Sequence, residues 1–256
     1  MLYYKVVETQ QKNEVKMKHT LYINDSSNKN NKYFKSYQDL FCIDNKFLNE
    51  IKEHKKRTGF LKNTNKKLGK GIYAFDLPAV VSCPDSSTCF KTCYANKGTF
   101  IWKSARTSNE YNFAIAINDL KYLEIELKKE IKNKGIAAIR IHSSGDFFSK
   151  EYFLMWCNIA KAMKNINIFT YSKAPQIKGL ELPTNLNIIP SIIKYKNTNY
   201  LNYGTFEDMK KLRNKISGLM CPPSKGAYLK NEQLKNVTCT MCKYCIKKDK
   251  PVFVQH

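Results

Sequence analysis

The chain has 256 residues, 43% of them hydrophobic and 25% charged. This fits one folded domain with elaborations and excludes a wholly disordered chain, a collagen-like fibre or a coiled coil. The formal net charge of +23 sets up a broad positive field that attracts polyanions, so an anionic substrate or partner, DNA or RNA included, is expected.

The basic excess is almost all lysine: Arg57, Arg106, Arg140 and Arg213 are the only arginines. An AT-rich coding sequence accounts for lysine over arginine, but not for lysine over glutamate. No apolar run reaches the roughly 18 residues of a membrane span, and the first residues carry no secretory apolar stretch. The expected compartment is the cytoplasm, with no membrane partner.

Residues 1–66 read as a basic N-terminal extension, with a polar low-complexity stretch at 24–32 and a helix over 36–56. Residues 67–200 read as the core. A buried strand is expected within 71–81, ending near Pro78, then a loop carrying Cys83, Cys89 and Cys93. One long helix is expected over 104–134, because Phe113, Ile117, Leu120, Leu123, Leu127 and Ile131 keep three-four spacing, and Gly135 is its expected C-cap. A strand over 136–142, a helix over 150–164 and strands over 167–172 and 185–193 follow. Alternation of this kind predicts an α/β fold, a parallel sheet forming part or all of a β/α barrel, with chemistry at the carboxyl ends of the strands. Residues 201–256 read as a helix over 205–215 and an irregular cysteine-rich extension.

Nine cysteines in such a chain read as metal ligands before disulfides. Cys83, Cys89 and Cys93 have C-x5-C-x3-C spacing, enough thiolates to wrap one centre with a position left open. That suits a [4Fe–4S] cluster with one free iron; a zinc loop completed by a remote ligand is the alternative. Cys221, Cys239, Cys242 and Cys245 form C-x17-C-x2-C-x2-C, whose last part is an iron–sulfur spacing. Four ligands close that site, so it is expected to be structural or electron-transferring, with iron–sulfur or zinc as the metal.

At the end of the 136–142 strand, Ser143, Ser144, Gly145 and Asp146 form a motif in which glycine permits close backbone approach and the carboxylate can hold an ammonium group. Asp146 and Ser149 can alternatively cap the following helix. His142 is read as structural. Lys173, ending the next strand, could grip a carboxylate or phosphate, and Ser191 has a similar place on the fourth. Arg106 and Asn109, on the helix after the cysteine loop, could reach the same rim or form an ordinary helix-surface pair.

The segments KLGKGIYAFDLPA, SCP…C…CYA, Arg106 with Asn109, IRIHSSGDFFSKEYF and IFTYSK together resemble the phage gene product 88 family over roughly residues 65–245. This implies a phage protein with a C-terminal cysteine group. A three-cysteine loop on a strand, followed by alternating helices and strands, is also distantly similar to radical S-adenosylmethionine enzymes. That resemblance implies a cluster whose free iron chelates S-adenosylmethionine. Asp146, with Ser144 and Gly145, would then match the motif that contacts the methionine amine, with Asn109, Lys173 and Arg106 near by. The cysteine spacing is longer here than in that superfamily, and Thr92 stands where it has an aromatic residue. Two functions are therefore expected in competition: an iron–sulfur enzyme of the radical S-adenosylmethionine type acting on an anionic substrate, and a non-enzymatic zinc or iron–sulfur nucleic-acid-binding module.

Overall fold

Four parallel strands organise the structure, a computed structural model that describes residues 5–6, 20–21, 44–83, 93–174, 181–190, 202–203, 236–243, 245–246 and 253–254. Strands β1 (Ile72–Phe75), β2 (Ala138–Ile141), β3 (Asn167–Ser172) and β4 (Leu186–Pro190) lie side by side in sequence order. Ile72 pairs with Ala138, Ile139 with Ile168 and Phe169 with Asn187. Each strand is short, and the first three are rich in β-branched or aromatic side chains that fill a pleated surface. The expected α/β class and parallel sheet are present. Two-residue strand pairs, Lys5–Val6 with Thr20–Leu21 and Asn202–Tyr203 with Phe253–Val254, stand outside this sheet.

The helices return the chain to the start of the next strand. Helix α1 (Asn45–Thr58) precedes β1, α2 (Lys103–Asn118) and α3 (Leu120–Asn133) join β1 to β2, and α4 (Lys150–Ala162) joins β2 to β3. Alternation along the strands divides the sheet into two faces. Phe75, Ile139, Ile141, Ile168 and Leu186 join the helices in the main core, with Phe113, Leu123, Leu127, Tyr152 and Trp156. Ile72, Ala74, Ala138 and Phe169 point the other way, and Cys239, Cys245 and Ile246 pack on them. Cys239, Cys245 and Ile246 thus pack on the face that the described helices leave free.

The single long helix expected over 104–134 is two. Asp119 both ends α2 and begins α3: its N–H donates to the Ile115 carbonyl, and its carboxylate accepts from the Tyr122 N–H. Asn118 donates its side-chain amide to the Ala114 carbonyl. Two short polar side chains in succession offer the backbone partners that compete with helix continuation. The apolar stripe survives the break, with Leu120, Leu123, Leu127 and Ile131 buried. The strand expected within 71–81 stops at Phe75, because the Asp76 carbonyl accepts from the Asn112 side chain and Pro78 has no N–H for a ladder. The helix expected over 36–56 is observed from Asn45, capped by Asp44, whose carboxylate accepts from the Phe47 N–H at 2.7 Å. Residues 36–43, the expected 205–215 helix and Ser191 lie outside the described residues. Leu48, Ile51, Phe60 and Leu61, all within the expected N-terminal extension, share the main core. None of the described helices is long and apolar enough to cross a membrane.

Gly135 ends α3 as expected. Its N–H donates to the Lys132 carbonyl and that of Ile136 to the Ile131 carbonyl, which together form a Schellman motif. Gly135 has φ +59°, and a Cβ there would meet nothing within 4 Å. Gly135→Ala therefore carries only the backbone cost of the left-handed conformation, and urea unfolding should register a loss of about 1–2 kcal/mol.

Candidate functional site

The loop after β2 holds the ends of three strands together. The Asp146 carboxylate is buried; Oδ1 accepts from the Phe147 N–H and the Ser172 hydroxyl and Oδ2 from the Lys173 N–H, each at 2.7 Å. On the other side, the Asp146 N–H donates to the Ser82 carbonyl and the Leu77 N–H to the Ser144 carbonyl. Burial raises the Asp146 carboxyl above its ordinary range, against the lowering effect of those hydrogen bonds. Asp146 is thus a clasp between β2 and β3, and Ser149 is the α4 cap, accepting from the Tyr152 N–H at 3.1 Å. Gly145 has φ +84°, and its close approach is to the protein itself: a Cβ there would lie 2.5 Å from Ser82 Oγ and 2.7 Å from Leu77 Cβ.

His142 is structural. It has φ +63°, its N–H donates to the Phe75 carbonyl, and Nε2 lies 2.9 Å from the Tyr152 hydroxyl. Its ring packs edge-on against Phe147, and burial lowers its pKa to about 3.

A second centre, which the sequence patterns leave unmarked, surrounds Asp76 at the carboxyl end of β1. The Ser144 backbone N–H donates to this buried carboxylate at 3.3 Å. Burial raises its pKa, while the charges of Lys62 and Arg140 pull it down. The α2 helix presents a polar stripe to this region. Asn112 donates to the Asp76 carbonyl at 3.0 Å, Asn109 Oδ1 accepts from Lys62 Nζ at 2.9 Å, and Ser108 Oγ accepts from Lys55 Nζ at 3.0 Å. Burial lowers the pKa of Lys62, and it takes Lys55, set between the Phe60 and Tyr111 rings, down to about 7. Asn109 is therefore buried against Lys62. Arg106 pairs with Glu110 along the helix surface at 3.5 Å.

Arg140 projects from β2 onto the helix-free face, with its guanidinium 5.4 Å from the Tyr171 ring centre. Burial opposes its charge, but Tyr94, Tyr171, Cys239 and Asp76 outweigh it and hold the pKa above the usual arginine value. Tyr94 immediately follows Cys93; its hydroxyl donates to the Ser143 carbonyl while its ring stays largely exposed. Arg140 is thus close to Cys239 of the C-terminal group and to Tyr94, the residue after Cys93.

The two cysteine groups lie in different places. Cys83 and Cys93 flank the loop at the carboxyl end of β1, both partly exposed; Cys89 lies outside the described residues. Cys239 and Cys242 occupy the single helical turn α5 (Cys239–Cys242), pinned to the segment before β1 by hydrogen bonds from the Cys239 N–H to the Lys67 carbonyl and from the Thr240 N–H to the Leu68 carbonyl. Cys245 Sγ lies 2.6 Å from the Tyr171 hydroxyl, and burial raises the thiol pKa of Cys239, and that of Cys245 to about 11. Among the described residues no group of three or more His, Cys, Asp or Glu side chains is arranged to hold a metal; Cys221 lies outside them. Cys157 is a buried member of the main core.

Two predictions follow from this geometry. The unfolded chain protonates His142 near pH 6.5 and the folded chain only near pH 3, so the folded state loses stability on acidification between those values. Asp76 and Asp146, whose pKa values are raised, act in the opposite direction, so the comparison must be with His142→Gln. Between pH 7 and pH 5 the native chain should lose about 2 kcal/mol more than that variant in urea unfolding. Asp146→Asn places an amide where an acceptor is needed and should cost about 1–3 kcal/mol at neutral pH by the same assay.

The model of the family described as gene product 88 matches residues 48–244. Two similar relatives are the Gene 88 proteins of Mycobacterium phage D29 and Mycobacterium phage L5, each 28% identical over 102 residues, 36% of this chain. The match spans 42% and 43% of their respective lengths, so this chain covers less than half of each. No solved structure matches. The matched segment runs from α1 through all four strands to the turn carrying Cys239 and Cys242, and on that ground the chain belongs to the phage gene product 88 family.

Proposed function

We propose that this chain is a thiolate-ligated metal protein, iron–sulfur in type, that acts on an anionic substrate such as a nucleotide or nucleic acid at the carboxyl ends of its parallel strands. The carrying observation is that Cys239 and Cys245 are seated on the helix-free sheet face beside Arg140, while Cys83 and Cys93 flank the loop that leaves β1. Cys83, Cys89 and Cys93 would hold the catalytic centre; Cys221, Cys239, Cys242 and Cys245 would hold the second, as iron–sulfur or zinc. The donor chemistry fits, because buried thiols with raised pKa values release their protons when a metal binds, which makes loading favoured at higher pH.

In this reading the sheet continues in a barrel-like curve, and the host cytoplasm is the working compartment. Cys83, Cys89 and Cys93 would hold a cluster with one open iron, and that group, once reduced by an external one-electron donor, would supply the electron for reductive cleavage of S-adenosylmethionine. Asp146 would act on this rim indirectly, its carboxylate clasping the strand ends through Phe147, Ser172 and Lys173. Ser144, Gly145 and Asn109 serve this rim by fixing its shape, and Lys173 and Arg106 supply positive charge at its margin.

A non-enzymatic nucleic-acid-binding module is the second reading. Trp102, 63% exposed, follows Ile101 in a segment that also carries Lys97 and Lys103, which suits base stacking beside phosphates.

Anaerobic purification with iron, sulfide and zinc analysis separates the readings. Iron and sulfide with absorbance near 400 nm, bleached by dithionite, together with release of 5′-deoxyadenosine from S-adenosylmethionine that Cys93→Ala abolishes, support the enzyme. Stoichiometric zinc in colourless protein supports the module, whose affinity for single-stranded DNA should fall at least about tenfold between 50 and 200 mM salt. In either case Cys239→Ser should lose the C-terminal centre, one zinc or one cluster's iron and sulfide, and melt at a lower temperature, because structural metal binding contributes folding free energy. Unchanged metal content and melting temperature in that variant would remove the C-terminal centre.

A further inference from the structure

We propose that the polar centre around Asp76 is an oxyanion-binding site, taking a phosphate ester or a carboxylate through Arg140 and Ser143. This deepens the reading of an anionic substrate and does not require the metal. Buried hydrogen-bonding groups in native proteins are nearly always paired. Among the described residues, Arg140 Nε and Ser143 Oγ are buried donors with no partner, and Asn112 Oδ1 is a buried acceptor with none. All three belong to residues around Asp76: Asn112 donates to its carbonyl, Ser143 precedes the Ser144 N–H that donates to its carboxylate, and Arg140 acts on it through its charge. Arg140 and Ser143 also share Tyr94 as a neighbour.

Charge favours an anion here. Lys62 and Arg140 face a single carboxylate, and Asn109 holds the Lys62 ammonium in place. A guanidinium matches the planar fork of a carboxylate or two phosphate oxygens, and a serine hydroxyl adds a third donor. Arg140 reaches the centre from the sheet face that also carries Tyr171 and Cys239.

The test is calorimetric titration of the full chain with inorganic phosphate and, separately, with acetate, with metal content measured on the same samples. Saturable binding of one or both is expected, and the preferred probe tells phosphate from carboxylate. Arg140→Gln should weaken binding at least about tenfold. Ser143→Ala removes a hydroxyl without a protein partner, so it should keep the melting temperature yet weaken binding about threefold or more. Binding to the many surface lysines would not respond to Ser143→Ala. No saturable binding by the native chain, or affinity unchanged in Ser143→Ala, would overturn the proposal: the orphaned atoms would then be met by water. Loss of metal in Arg140→Gln with unchanged oxyanion affinity would also overturn it, making Arg140 a counter-charge for thiolates. Because binding and metal are read separately, failure of this site and failure of the metal reading give different results.

Discussion

The buried Asp146 carboxylate is the tie on which the strand-end geometry depends. From one side it accepts from Ser172 and Lys173 at the end of β3; from the other its own N–H donates to Ser82, next to Cys83. Neighbouring bonds from Leu77 to Ser144 and from Ser144 to Asp76 extend the clasp to the end of β1. Three strands that contribute no residue to one another in sequence thus end at a common level. Gly145 makes this possible, because any side chain there would overlap Leu77 and Ser82. The cost of burying Asp146 is offset by saturating it with donors, the condition under which a buried carboxylate is tolerated.

The sheet then distributes chemistry by its two-residue period. One face of β2 carries Ile139 and Ile141 into the helices; the other carries Ala138 and Arg140 toward the cysteine segment. Phe169 and Tyr171 on β3 continue that second face, and Asn187 on β4 donates to the Cys245 carbonyl. An arginine in such a place would be costly against a helix layer. It is accommodated because its covering is made of tyrosine rings, a carboxylate and thiols.

Local signals were the legible ones. The β3 strand, the stripe of Leu120, Leu123, Leu127 and Ile131, the glycine stop at Gly135 and the Ser149 cap each rest on residues a few positions apart, and the sequence states them directly. The Asn118–Asp119 break was also visible in principle, but the unbroken apolar spacing masks it. Asp76 with Lys62, Arg140 and Asn112 was not legible. Their contacts join separate elements, and a lysine among forty or an aspartate before Leu77-Pro78 carries no periodicity. The SSGDF motif attracted attention for ligand contact, whereas its carboxylate is spent on the strand ends and the Asp76 centre sits beside it. Lys55 shows the same limit: a basic run predicts a solvated face, yet its side chain is buried between two rings.

The docking of the C-terminal turn on the sheet has a consequence for biogenesis. Thr240 bonds to the Leu68 carbonyl, 172 residues earlier in the chain. Synthesis is vectorial, and sequential strand order lets β1 to β4 assemble as each leaves the ribosome. Among the described residues, the second face, with Ile72, Ala74, Ala138 and Phe169, is covered by Cys239, Cys245 and Ile246, which emerge well after β4. That interval exposes an apolar sheet surface to chaperones and to other nascent chains, so truncation after β4 would yield a sticky half-product, and the last cysteines act as the closing step of translation-coupled folding.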